Sequence, residues 1–130
     1  MPEENIETYV VDASVILAYL LPDERSPLVA KVFEKYTQGK LNFMAPSILS
    51  YEVLSGLKSA VGKRVKKQEA HNLIEDFLNL TIEFVGLDLK QVLDLSIENN
   101  LSVYDTCYLY VTKEKRFPLL TLDQALQKLA

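Results

Sequence analysis

Hydrophobic positions along the chain alternate between short β-rich runs and longer runs with helical spacing. TYVVD, residues 8–12, is a β-branched run that ends in an aspartate and predicts a strand. ASVILAYLLPDE, residues 13–24, then reads as a helix stopped by Pro22. Ser26 followed by Pro27 is a helix start, and that helix runs to about Tyr36, with Gly39 ending the segment. LNFMAP, residues 41–46, predicts a second strand, and PSILSYEVLSGLKSAVG a helix with Ser47 at its start and Gly62 at its end. The charged turn KRVKK leads into QEAHNLIEDFLNL, another helical pattern. TIEFVGL, residues 81–87, reads as a third strand, followed by the helices DLKQVLDLSIENN and SVYDTCYLYVTKEK. FPLLTLD, residues 117–123, is a fourth strand, and DQALQKLA a closing helix.

Strands that alternate with helices predict an α/β domain with a parallel sheet covered on both faces. Runs such as TYVV and PLLTL, with little polar alternation, agree with burial on both sides. In sheets of this kind chemistry gathers beyond the carboxyl ends of the strands. Asp12 and Asp123 each follow an apolar strand and precede a helix, so parallel neighbouring strands would bring both to one edge of the sheet. The bland alternative for each is an N-cap, which an aspartate between strand and helix often serves as. Asp105 has its own bland alternative, a capping box with Ser102. Its helical neighbours are nonetheless mostly apolar, which leaves little solvent-facing surface and predicts a partner for its charge. Glu52 falls at the margin of the stripe formed by Leu49, Val53, Leu57 and Ala60, where a lone acid is most often a rim residue.

With 130 residues, 48% of them hydrophobic and 25% charged, the chain is expected to form one domain over residues 1–130. The single cysteine, Cys107, excludes an intramolecular disulfide and suits a reducing, cytoplasmic setting. The N-terminal MPEENIETYVVD is acidic and lacks the features of a signal peptide, and no apolar run approaches the roughly 20 residues of a membrane helix. A protein that is neither exported nor membrane-bound is expected.

Four carboxylates brought together would repel one another, and each costs several kcal/mol to bury unpaired. A hard divalent cation removes that cost. All-oxygen donors select Mg²⁺ or Mn²⁺, and one histidine, His71, with one cysteine offers no competing zinc site. Such a cluster suits phosphoryl transfer.

In the order VVDASVILAYL, APSILSYEVLSGL and LSVYDTCYLYVTKEKRFPLLTLD, these segments resemble the PIN domains, and in particular the VapC-type toxin ribonucleases of toxin–antitoxin pairs. The resemblance covers essentially the whole chain. It implies a three-layer α/β/α domain with a short parallel sheet and metal-dependent cleavage of RNA. It also implies a VapB-like antitoxin partner and a homodimer. By the same resemblance Asp12, Glu52, Asp105 and Asp123 would be the catalytic metal ligands, with Ser14 and Thr121 holding them in place by hydrogen bonds. Members often carry alanine after the third acid and small residues one turn later. Here Thr106, Cys107, Leu109 and Tyr110 stand there, which would narrow or reshape the pocket.

A net charge of −4 opposes binding to a phosphate backbone. Two divalent ions would bring the total near neutral, so local distribution decides. Lys58, Lys63, Arg64, Lys66 and Lys67 follow Glu52 and are candidate phosphate contacts, while Lys113, Lys115 and Arg116 follow Asp105. Both clusters equally suit solvated helix ends. His71 reads as a surface or boundary residue, and Tyr104, Tyr108 and Tyr110 as core or interface.

Two other function classes compete. A PIN-like module that binds RNA or protein without cutting would have no need to retain all four acids. A haloacid-dehalogenase-like phosphatase would need an aspartate at Ser14, and a receiver domain would need paired acids at its first strand end. The sequence meets neither requirement.

Overall fold

A computed structural model describes residues 6–130. Residues 1–5, the start of the acidic N-terminal stretch, lie outside the described residues. The elements run β1 (Glu7–Val11), α1 (Ala13–Leu20), α2 (Pro27–Thr37), β2 (Leu41–Pro46), α3 (Ile48–Ala60) and α4 (Lys67–Leu78). They continue with β3 (Ile82–Val85), α5 (Leu89–Asn99), α6 (Val103–Lys115), β4 (Leu119–Leu120) and α7 (Gln124–Leu129).

The four strands form one parallel sheet in the order β3-β2-β1-β4. Val10 sits at its centre, paired with Met44 on one side and Leu119 on the other. Consecutive strand side chains point to opposite faces, and Val10 with Val11, then Phe43 with Met44 and Ala45, are all buried. Both faces are therefore covered, which is the three-layer α/β/α arrangement. Helix α2 packs on β2, where Phe33 meets Phe43 at 5.2 Å between ring centroids. Helix α6 lies against β1, β2 and β4.

Local chemistry accounts for most boundaries. Ser26 Oγ accepts from Val29 N and Pro27 opens α2, whereas α1 ends before Pro22 because a residue preceding proline resists the helical conformation. Gly62, with φ +84°, turns the chain between α3 and α4 in a conformation other side chains resist.

Two expectations need correction. Strand β4 has two residues rather than seven, because among the described residues its only partner is β1 and pairing stops where the chain turns into the Thr121–Asp123 segment. The start of α6 is not hidden: Val103 and Tyr104 are exposed, and full burial begins at Thr106.

Candidate active site

In the order β3-β2-β1-β4 the chain leaves β1 toward β2 on one side and returns to β4 on the other. The crevice beyond the carboxyl ends of β1 and β4 is the switch point where open α/β sheets bind ligands. Asp12 stands directly after β1 and Thr121 directly after β4, and both are buried.

Asp12 Oδ1 accepts from Ser14 N at 3.1 Å, Val15 N at 3.4 Å and Ser14 Oγ at 2.6 Å. Its Oδ2 accepts from the Thr121 hydroxyl. Leu122 N donates to Ser14 Oγ at 2.9 Å, and Asp123 N to Thr121 Oγ1 at 3.0 Å. These bonds close a ring between the β1–α1 and β4–α7 turns, so Asp12, Ser14, Thr121 and Asp123 belong to one network. The cap readings of Asp12 and Asp123 also hold: Asp123 Oδ1 accepts from Ala125 N at 2.9 Å and Leu126 N at 3.2 Å. Each carboxylate has two oxygens, so capping does not exhaust either one.

The other two acids come from helices. The stripe Leu49, Val53, Leu57 and Ala60 is buried and fixes the rotation of α3, placing half-buried Glu52 at its margin. Glu52 Oε1 accepts from the Tyr108 hydroxyl at 2.5 Å, across 56 positions of sequence. Asp105 lies in the first turn of α6, half-buried. Only half of its expected capping box forms, since Asp105 N donates to Ser102 Oγ at 3.1 Å. Among the described residues no hydrogen-bond donor reaches the Asp105 carboxylate.

Electrostatics tie the acids together. Burial raises the Asp12 carboxyl above its ordinary range, against the lowering effect of its Ser14, Thr121 and backbone hydrogen bonds. Burial also raises Glu52; the Tyr108 hydroxyl opposes this, and the charges of Asp105 and Asp12 add to it. Glu52 thus feels two of the other three acids. The Tyr108 phenol is driven far up by burial and by Glu52, so it stays a proton donor to that carboxylate.

Among the described residues no three of His, Cys, Asp or Glu are gathered closely enough to hold a metal ion as they stand. What fits a cation is their chemistry: oxygen donors only, two of them pushed toward protonation by burial and, at Glu52, by like charge.

Tyr108 is the site residue that sequence reasoning read only as core or interface. It is indeed 1% exposed, while Tyr110 is buried and Tyr104 is 59% exposed. The available signal was its place three residues after Asp105, together with the need of a buried phenol for a partner. Cys107 is buried and its thiol is raised by burial and by Glu52, which suits packing rather than nucleophilic attack. His71 is exposed, as expected.

Lys58, Lys63, Arg64, Lys66 and Lys67 are all exposed around the α3–α4 turn. Arg64 is committed to Asp23 at 2.5 and 2.9 Å and to Glu24 at 3.1 Å. Lys58 and Lys67 flank a groove between α3 and α4 that also includes Leu54 and His71. Lys113, Lys115 and Arg116 end α6, and at ~1.5 Å rise per residue Lys115 lies roughly 15 Å along the axis from Asp105.

Known proteins share the fold and much of the sequence. The model of the PIN domain family matches residues 9–130, a span that includes all four acids. Ribonuclease VapC3 of Pyrobaculum aerophilum is 30% identical over 122 residues, which cover 90% of each chain. The crystal structure of PAE2754 from Pyrobaculum aerophilum superposes with a TM-score of 0.72 at 25% identity, covering 96% of this chain and 80% of that one. A family match along nearly the whole length, together with a relative at 30% identity, shows the family: the chain belongs to the PIN domain family.

Proposed function

We propose that this chain is a Mg²⁺- or Mn²⁺-dependent endoribonuclease and the toxin of a VapBC-type toxin–antitoxin pair. The observation that carries the reading is the hydrogen-bonded ring that joins Asp12 and Asp123 beyond the carboxyl ends of β1 and β4, with the charges of Asp105 and Asp12 acting on Glu52. Like charges held together, two of them raised, are relieved by a divalent cation. RNA as the substrate is supported by the similarity to a relative whose name is ribonuclease VapC3.

Cleavage adds water across a phosphodiester P–O bond. When bound, a divalent cation would supply water activation and stabilise charge developing on the phosphate oxygens. The chain's own residues bind and orient. Ser14 and Thr121 hold the two oxygens of Asp12 in fixed directions. Asp123 uses Oδ1 for its helix and keeps Oδ2 for a ligand, and Asp105 offers its carboxylate from the start of α6. Glu52 completes the donor set from α3. Lys58, Lys63, Lys66 and Lys67 are the proposed phosphate contacts, with Arg64 secondary because of its ion pairs.

The partners follow from the family likeness: a VapB-like antitoxin and a second copy of this chain in a homodimer. A cytoplasmic location goes with them. No helix among the described residues is long and apolar enough to cross a membrane.

The test is incubation with structured RNAs, with and without Mg²⁺ or Mn²⁺, beside an Asp105→Asn variant. Cleavage is expected only from the metal-loaded parent. Equal cleavage by the variant or by a chelated sample would overturn the reading. RNA binding without cutting in every sample would favour the alternative of a non-catalytic PIN-like module.

A further inference from the structure

We propose that Tyr108 is a positioning residue for this site: its buried hydroxyl clamps Glu52 of α3 against α6 and commits one carboxylate oxygen, so that Glu52 offers the other to a cation. The inference rests on the reading that Glu52 is a metal ligand.

The geometry separates this role from packing. The ring of Tyr108 is 1% exposed, and a phenylalanine would fill the same space. A buried hydroxyl must find a partner, and the one it finds at 2.5 Å is an acid of the candidate site rather than a backbone carbonyl. Tyr108 also stands one turn after Asp105 on α6, so the bond that anchors Glu52 to Tyr108 sets its place beside Asp105 as well. Glu52 is repelled by Asp105 and by Asp12. Without the clamp, a half-buried glutamate with three rotatable bonds would relax toward solvent and away from both. The phenol therefore holds a ligand where its neighbours push it out, as partners of metal-binding carboxylates commonly do.

The experiment is a double-mutant cycle on Mn²⁺ affinity, measured by calorimetry at neutral pH on the full chain. It uses the parent, Tyr108→Phe, Glu52→Gln and the pair, with thermal melts in chelator as the folding control. Tyr108→Phe is expected to weaken Mn²⁺ about 10–100-fold. Added to Glu52→Gln it should change affinity by less than about twofold, because a glutamine whose one oxygen accepts from Tyr108 presents an NH₂ group, and no carboxylate oxygen, to the cation. Parent-like affinity in Tyr108→Phe, with weakening in Glu52→Gln, would overturn the clamp and leave the metal reading intact. The same large loss from Tyr108→Phe in both backgrounds would make Tyr108 a packing residue and also overturn it. A parent that binds no Mn²⁺, or a Glu52→Gln variant that binds it like the parent, would remove the metal reading and the clamp together. Should Tyr108→Phe fail to fold, 3-fluorotyrosine at position 108 keeps the hydroxyl. Its fluorine resonance should then move on Mg²⁺ titration in the parent and stay fixed in Glu52→Gln, and a resonance that stays fixed in the parent would overturn the proposal.

Discussion

The Thr121 hydroxyl donates to the Asp12 carboxylate across 109 positions of sequence, joining the ends of two parallel strands that neighbour each other only because β4 returns beside β1. A buried threonine that serves a buried aspartate is under two demands, since its own oxygen also accepts from Asp123 N at 3.0 Å.

Thr121→Val tests that relationship. Valine keeps the shape and removes both hydrogen bonds, leaving Asp12 Oδ2 short of a donor. The expected loss is about 1–3 kcal/mol in urea unfolding, the usual cost of an unsatisfied buried polar group. Mn²⁺ affinity should fall in the same variant, because Asp12 is then free to turn. Unchanged stability would show that the ring of bonds is dispensable.

Glu52 predicts a pH dependence of the metal-free protein. Its folded carboxyl titrates above its ordinary range, so near and above pH ~4.3 the folded state holds more protons than the unfolded one and stability falls as pH rises through that window. Glu52→Gln removes the effect while still accepting a bond from Tyr108. In chelator the variant should gain on the parent between pH 4 and pH 7.5, and added Mg²⁺ should stabilise the parent more than the variant. The Asp23 carboxyl, held low by Arg64, contributes in the opposite direction and is common to both proteins. A stability gap that stays constant with pH would contradict the raised carboxyl.

The exposed cations differ in what they are free to do. Lys67→Ala should lower the slope of log affinity against log salt for single-stranded RNA by about 0.7, one phosphate contact. Arg64→Ala should change it less, because the guanidinium is already paired with Asp23 and Glu24. Fluorescence anisotropy over a salt series, in an Asp105→Asn background without metal, makes the comparison. Equal slopes for parent and Lys67→Ala would remove that lysine from the RNA surface.

Much of the fold was legible because its elements are strongly patterned. LNFMAP is β2 to the residue, and TYVV and PSILSYEVLSGL sit where hydrophobic period and proline placed them. The edge strands were less legible. TIEFVGL contracts to Ile82–Val85 with Phe84 exposed, and FPLLTLD to two residues, since pairing on one side only limits how far a strand extends. The four candidate acids were singled out from strand ends and from charges on apolar helix faces. Tyr108 was not, because a hydrophobic pattern reports that a phenol is buried but not what its oxygen touches. The pairing of Arg64 with Asp23, 41 positions away, left no mark on the local sequence either.

The two pairings of β1 differ in reach. Its partner β2 is 34 residues away at Glu7 and Leu41, whereas β4 is 109 residues away at Val10 and Leu119. The longer loop costs about 1 kcal/mol more to close and is repaid by a two-residue strand. A chain made from its N-terminus therefore builds β1 and β2 well before Thr121 exists to meet Asp12, and a growing polypeptide holds the first acid long before the last. Whatever chemistry the crevice performs is withheld from the nascent chain until the far strand has docked.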